Sequence, residues 1–213
     1  QLTAGGNVQV NADAKEEHRV EAATASVAVA IGLGGSVAGA GIGVSVSNYS
    51  TVEAISTNSL ITAGGDISVL SFAETLVNDA VPNGSGSTMV GVAMSVGLGA
   101  IAINVSILQV DVQNTSHAVV DHTGHVGRVL EAGGDVTVDA DSISRLLDLN
   151  GVGVAISGGG ISATGGGLEI TLTVQNSVMA KIDLSGKDSE VSATSGKVTV
   201  EAKDTAEFDS NVA

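Results

Sequence analysis

Ala132-Gly133-Gly134-Asp135-Val136-Thr137-Val138 decides the fold, because the same phrase recurs along the chain. It reads Ala4-Gly5-Gly6-Asn7-Val8-Gln9-Val10 near the start and Ala63-Gly64-Gly65-Asp66-Ile67-Ser68-Val69 further on, with a weaker copy at Thr194-Ser195-Gly196-Lys197-Val198-Thr199-Val200. The offsets between copies are 59, 69 and 62 residues. Gly-Gly punctuates the chain as a turn, and the tail alternates, which places Val8, Val10 and Ala12 on one face of a half-buried strand. Self-similarity at this period, with almost no helical pattern, predicts an all-β stack of units that bury their apolar faces against one another. The repeats fall at approximately 1–60, 61–129, 130–191 and a partial 192–213, one elongated body expected to be a segment of a longer chain.

Composition narrows the filling of that stack. Among 213 residues there are 29 Gly, one Pro and no Cys, and only Tyr49, Phe72 and Phe208 carry aromatic rings. The apolar interior must therefore come from Val, Ile, Leu and Ala, side chains that suit a narrow gap between facing sheets. A net charge of −15, with only 8 basic residues, argues against nucleic acid as a partner, since no basic stripe exists to displace counterions from phosphates. Without Cys there is no disulfide or thiol chemistry, and Cys-free Gly-rich repeats fit a chain exported unfolded. Gln1 opens inside a repeat, and no signal peptide is read there.

Each repeat continues from its Gly-Gly strand through a charged stretch, such as Asp13 to Glu21 or Asp139 to Asp148, into a long uncharged run. The runs are Ala22 to Val52, Met89 to Val110, and Gly151 to Leu168. The first is long enough to cross a bilayer as a helix. Gly32, Gly34, Gly35, Gly39, Gly41 and Gly43 would each cost roughly 1 kcal/mol there relative to Ala, so a helix is disfavoured and insertion into a membrane is not expected. Val27, Val29 and Ile31, and again Ile42, Val44 and Val46, alternate with period two and predict buried strands. Charged segments are then expected to face solvent and uncharged runs the interior.

The runs close on related phrases: Ser50-Thr51-Val52-Glu53-Ala54-Ile55, Asn114-Thr115-Ser116-His117-Ala118-Val119 and Asn176-Ser177-Val178-Met179-Ala180-Lys181-Ile182. Two stretches of the second repeat read as inserted loops, Asn83 to Ser87 beside Pro82, and Asp121 to Arg128. Three coils of about 20 to 23 residues per repeat, each rising ~4.8 Å, would give ten or so coils and a rod on the order of 50 Å.

The Ala-Gly-Gly-Asp-Val-Thr-Val phrase, the Gly151-Val152-Gly153-Val154-Ala155 run and the closing Asn-Thr/Ser phrase together resemble the repeat region of leukotoxin-type filamentous adhesins, large two-partner-secreted, haemagglutinin-like proteins of Gram-negative bacteria. The likeness lies in repeat style and covers essentially the whole chain. It implies a right-handed parallel β-helix (β-solenoid), export to the cell surface or medium, and attachment to a host-cell surface or matrix receptor. It assigns no functional residue.

His117, Asp121, His122 and His125 form the one cluster with metal-ligand chemistry. Two imidazoles and a carboxylate can hold zinc or nickel, and the alternative is a solvated coil corner. Gly35, Gly39 and Gly43 match a membrane-helix zipper, but the spacing does not recur in the other repeats, so bends or crowded stacked backbone explain them better. Gly97 to Ala102 and Gly158 to Ala163 match a loose dinucleotide fingerprint without a following helix. Asp66 and Asp135 after Gly-Gly are read as turn caps rather than calcium ligands. No catalytic constellation is read and no cofactor is expected. The expectation is a structural and adhesive shaft, a rigid spacer that presents loops, stacks on adjoining repeats and associates through open sheet ends. The alternatives are a membrane-active toxin segment and a carbohydrate-active β-helix enzyme.

Overall fold

The structure, a computed structural model, describes residues 1–19, 22–29, 35–77, 88–124, 126–127 and 129–212. Its strands fall into the repeats. The first holds β1 (Leu2–Ala4), β2 (Val8–His18), β3 (Ala22–Val29) and β4 (Val37–Thr57), and the second holds β5 (Ile61–Ala63), β6 (Ile67–Val77), β7 (Thr88–Val96) and β8 (Ala100–Asp121). The third holds β9 (Val129–Ala132), β10 (Val136–Gly158), β11 (Ser162–Val174) and β12 (Ser177–Asp183), and the partial fourth β13 (Glu190–Ala193) and β14 (Val198–Val212). In the third repeat the counterparts of β6 and β7 fuse into β10, while the counterpart of β8 divides into β11 and β12.

Every pairing is parallel and joins one repeat to the next. A short sheet orders β1-β5-β9-β13, a long one carries β2-β6-β10-β14 and β3-β7-β10, and the facing sheet sets β4 and then β11 and β12 against β8. The register follows the sequence phrases: Val8 opposes Ile67, which opposes Val136, which opposes Val198. At the closing phrase Thr51 opposes Thr115 and Thr115 opposes Ser177. A repeat is therefore one layer. The expected three coils per repeat, and the rod of ten coils built from them, are corrected: successive copies of one phrase sit on adjacent strands, roughly 4.8 Å apart, which leaves no room for intervening coils. The array is broad and thin, about 70 Å along its longest strand run and about 15 Å through its four layers.

The layers are held by backbone bonds at the Gly-Gly corner, such as Gly133 N–H to Ala63 O at 2.9 Å and Ile67 N–H to Asp135 O at 2.9 Å. Between the two large sheets lie two apolar cores. One, nearest the Gly-Gly corner, holds Ile67, Val69, Val120, Leu130, Val136 and Val138, with Val10 and Ala12 packed against it as the alternation predicts. The other holds Val77, Leu108, Val110, Val112, Leu146 and Leu149. A polar staircase separates them. Asn48 Nδ2 donates to Thr75 Oγ1 (2.6 Å), Thr75 Oγ1 to Asn114 Oδ1 (2.8 Å), Asn114 Nδ2 to Ser144 Oγ (3.1 Å), and Asn176 Nδ2 to the same hydroxyl (3.1 Å). The chain of bonds crosses between sheets and climbs the layers, so these buried amides and hydroxyls are satisfied while they pin the relative register of the sheets.

Candidate functional site

The His-containing loop begins where β8 ends. Alternation turns His117 and Asp121 to the outer face and His122 to the interior, where it is fully buried. His117 and Asp121 are four positions apart along the strand, about 13 Å, beyond the span of one ion's ligands. His117 Nδ1 lies 3.4 Å from Glu53 Oε1 on the neighbouring strand. Asp121 Oδ1 accepts the Thr123 N–H at 2.8 Å, and bonds from Thr123 hold its carboxyl below the ordinary carboxylate value. His125 lies outside the described residues, as do Arg128 and the Asn83 to Ser87 stretch. Among the described residues no three His, Asp or Glu side chains gather into a metal-sized group.

Asp66 and Asp135 do cap turns. Asn7 Oδ1 accepts the Asp66 N–H (2.9 Å), Asp66 Oδ1 the Asp135 N–H (2.8 Å), and Asp135 Oδ1 the Lys197 N–H (2.9 Å). Each side chain caps the turn of the next layer rather than its own, which only the stacked register could reveal. The fingerprint-like segments Gly97 to Ala102 and Gly158 to Ala163 are turns into β8 and β11, and no helix follows either. The left-handed φ of 73° at Gly99 accounts for glycine there.

Along the outer face of the long sheet, Lys15 opposes Glu74 and Arg145 opposes Glu207, while Arg145, whose own partner on β6 is Leu76, reaches Glu74 diagonally. Lys15 Nζ lies 3.3 Å from Glu74 Oε2, Arg145 Nη1 3.5 Å from Glu74 Oε1, and Arg145 Nε 3.5 Å from Glu207 Oε2. The sign alternates layer by layer, which rewards the native register and penalises a slip.

The feature that sequence reasoning missed is at the far end of the layers, where the uncharged runs lie. There the alternation is inverted. Ala93, Ser95, Ala100, Ala102, Asn104 and Ser106 face inward and are buried, whereas Val27 is 67% exposed and Ile103 47% exposed. Some inward polar groups are paired, Ser36 Oγ lying 2.7 Å from Ser95 Oγ and Asn104 Nδ2 donating to Gly91 O at 2.9 Å, whereas Asn104 Oδ1 and Ser106 Oγ are buried without a hydrogen-bond partner among the described residues. The strands at Val27 and Val29 form as expected, but the expectation that they are buried is corrected. Their outward positions are apolar because the inner gap is too thin for them; a Cβ at Gly91 would already collide with the Asn104 amide.

No family model, curated protein or solved structure matches the chain.

Proposed function

We propose that the chain is a stretch of right-handed β-solenoid from a secreted or surface-attached bacterial adhesin, and that its task is to present broad lateral faces rather than to extend reach. The observation that carries this is the coincidence of sequence repeat and sheet register. Because a repeat of about 62 residues adds only ~4.8 Å of height, it makes a poor spacer per residue and a large sheet surface. The turn-capping row at Asn7, Asp66 and Asp135 and the alternating charges at Lys15, Glu74, Arg145 and Glu207 let layers be added without a change of chemistry. The absence of Cys suits export, and the repeat style resembles filamentous adhesins whose partner is a host-cell or matrix receptor.

Small-angle scattering on arrays with a duplicated second repeat tests it. Thickness should grow by one strand spacing per added repeat at constant width; growth by three spacings, or a globular profile, would refute the proposal.

A further inference from the structure

We propose that the far end of the layers is a lipid-docking wedge: the segments 22–29, 37–44, 88–107 and 150–168 enter a phospholipid surface while the charged remainder stays in water. None of the chain's 8 basic and 23 acidic residues falls within 22–52, 80–110 or 149–168. Outward on the long sheet, Val27, Met94 and Ile156 stand in register across three layers, beside Ala25, Val92 and Val154. Outward on the facing sheet, Ile101, Ile103, Val105 and Ile107 make a ridge along β8.

Glycines flank that ridge. Gly39 and Gly165 oppose Ile103, and Gly41 and Gly167 oppose Val105. A Cβ at Gly39, Gly43, Gly165 or Gly167 would meet nothing within 4 Å, so crowding in the stack does not require glycine there. The expectation of crowding is corrected for Gly39 and Gly43, and holds at Gly35, where a Cβ would meet the Gly99 carbonyl at 3.3 Å. What remains is a pair of smooth troughs beside an apolar ridge, running along the strands and as wide as a hydrocarbon chain.

The arrangement suits lipid better than a protein partner. Among the described residues both outer faces are apolar as far as Glu169, which opposes Ile107, and Ile161 is 78% exposed at the turn; a protein seated on one face would leave the other in water, whereas a lipid phase covers all at once. Seven residues from Val90 to Val96, or from Ile101 to Ile107, span about 20–24 Å, close to the ~25 Å apolar band of membrane β-structures. Each face offers roughly 300 Å² of sheet, within the size range in which a monomer's largest apolar patch is often functional. The backbone of the middle layer is bonded on both sides within the sheets, which satisfies its polar groups out of water. A net charge of −15 behind the wedge adds a signature: binding should favour zwitterionic over anionic lipid at low salt, and salt should remove the difference.

Flotation with phosphatidylcholine vesicles, alone or enriched in phosphatidylserine, tests this. The chain should float with the former, and Ile103→Asp with Ile107→Asp should reduce the bound fraction about tenfold, as expected for charges on lipid-facing strands. Gln109→Asp with Thr171→Asp, on the same face beyond the wedge, should leave it unchanged. Far-UV circular dichroism checks that all variants keep their strands. The chain has no native Cys, so a polarity-sensitive fluorophore at Ile103→Cys should shift to the blue with phosphatidylcholine while one at Thr51→Cys does not. Failure of the parent chain to float, or a shift at position 103 that depends on protein concentration and not on lipid, would overturn the proposal, the latter because a second copy would then cover the ridge. Neither result bears on whether repeats stack one per layer.

Discussion

The Asp66 carboxylate accepts the backbone N–H of Asp135 at 2.8 Å, across the boundary between the second and third layers. The residue after Gly-Gly thus secures the next turn, and one short side chain links sequence period to stacking. Asp66→Ala should lower stability by about 1 kcal/mol, the usual net worth of such a bond. Asp66→Asn keeps the acceptor and should stay within a few tenths of the parent. Urea unfolding of the two variants measures the contrast.

Glycine at the corner is needed only where a layer already lies beneath. A Cβ at Gly134 would land on Asp66 Oδ1 and one at Gly133 on the Gly64 carbonyl, whereas nothing lies within 4 Å of a Cβ at Gly5 or Gly6. Gly133→Ala should cost about 1–3 kcal/mol through overpacking, and Gly6→Ala close to nothing. Thermal unfolding of this pair separates a stacking role for glycine from a conformational one.

The charge row makes a salt-dependent contribution. Glu74 is largely covered by its neighbours and is flanked by Lys15 Nζ at 3.3 Å and Arg145 Nη1 at 3.5 Å. Glu74→Gln should cost about 1–2 kcal/mol, because it leaves two cations facing a neutral group. Glu74→Lys should cost more, and added salt should narrow the gap between them.

Asp139 works against the fold at neutral pH. Burial, then the neighbouring Asp141, raises its carboxyl above the ordinary 3.8, with Lys203 opposing. The folded state therefore holds that proton more tightly than the unfolded chain, so its contribution to stability falls as pH rises through the raised value. Asp139→Asn should raise the Tm at pH 7, and the gain should vanish below the carboxylate range. Asp183, whose carboxyl is lowered first by Lys181, has the opposite sign: its contribution is present at neutral pH and is lost on acidification.

The register was legible because Gly-Gly-Asp/Asn and the Asn-Thr/Ser phrase each meet their own copies on the neighbouring strand, as Thr51 meets Thr115. The number of coils per repeat was not. A repeat of about 62 residues is compatible with one long circuit or three short ones, and the bend at Gly97-Leu98-Gly99 looks locally like any other glycine turn. Period two likewise separates two faces without saying which is inside. At Val27 and Ile103 hydrophobicity pointed inward, and the thin gap lined by Gly91, Ala93 and Asn104 pointed them out. His117 and His122 differ in parity, so their closeness in sequence was a poor guide to a shared site.

One repeat per layer is the central claim, and a disulfide tests it most directly in a chain without native Cys. Thr51 and Thr115 are paired on adjacent parallel strands, placing their Cα atoms about 4.8 Å apart and within bonding range of a disulfide. Thr51→Cys with Thr115→Cys should oxidise readily within the monomer, and Thr51→Cys with Val119→Cys, four residues out of register, should not. Failure of the first pair to close, or equal closure of both, would contradict the account.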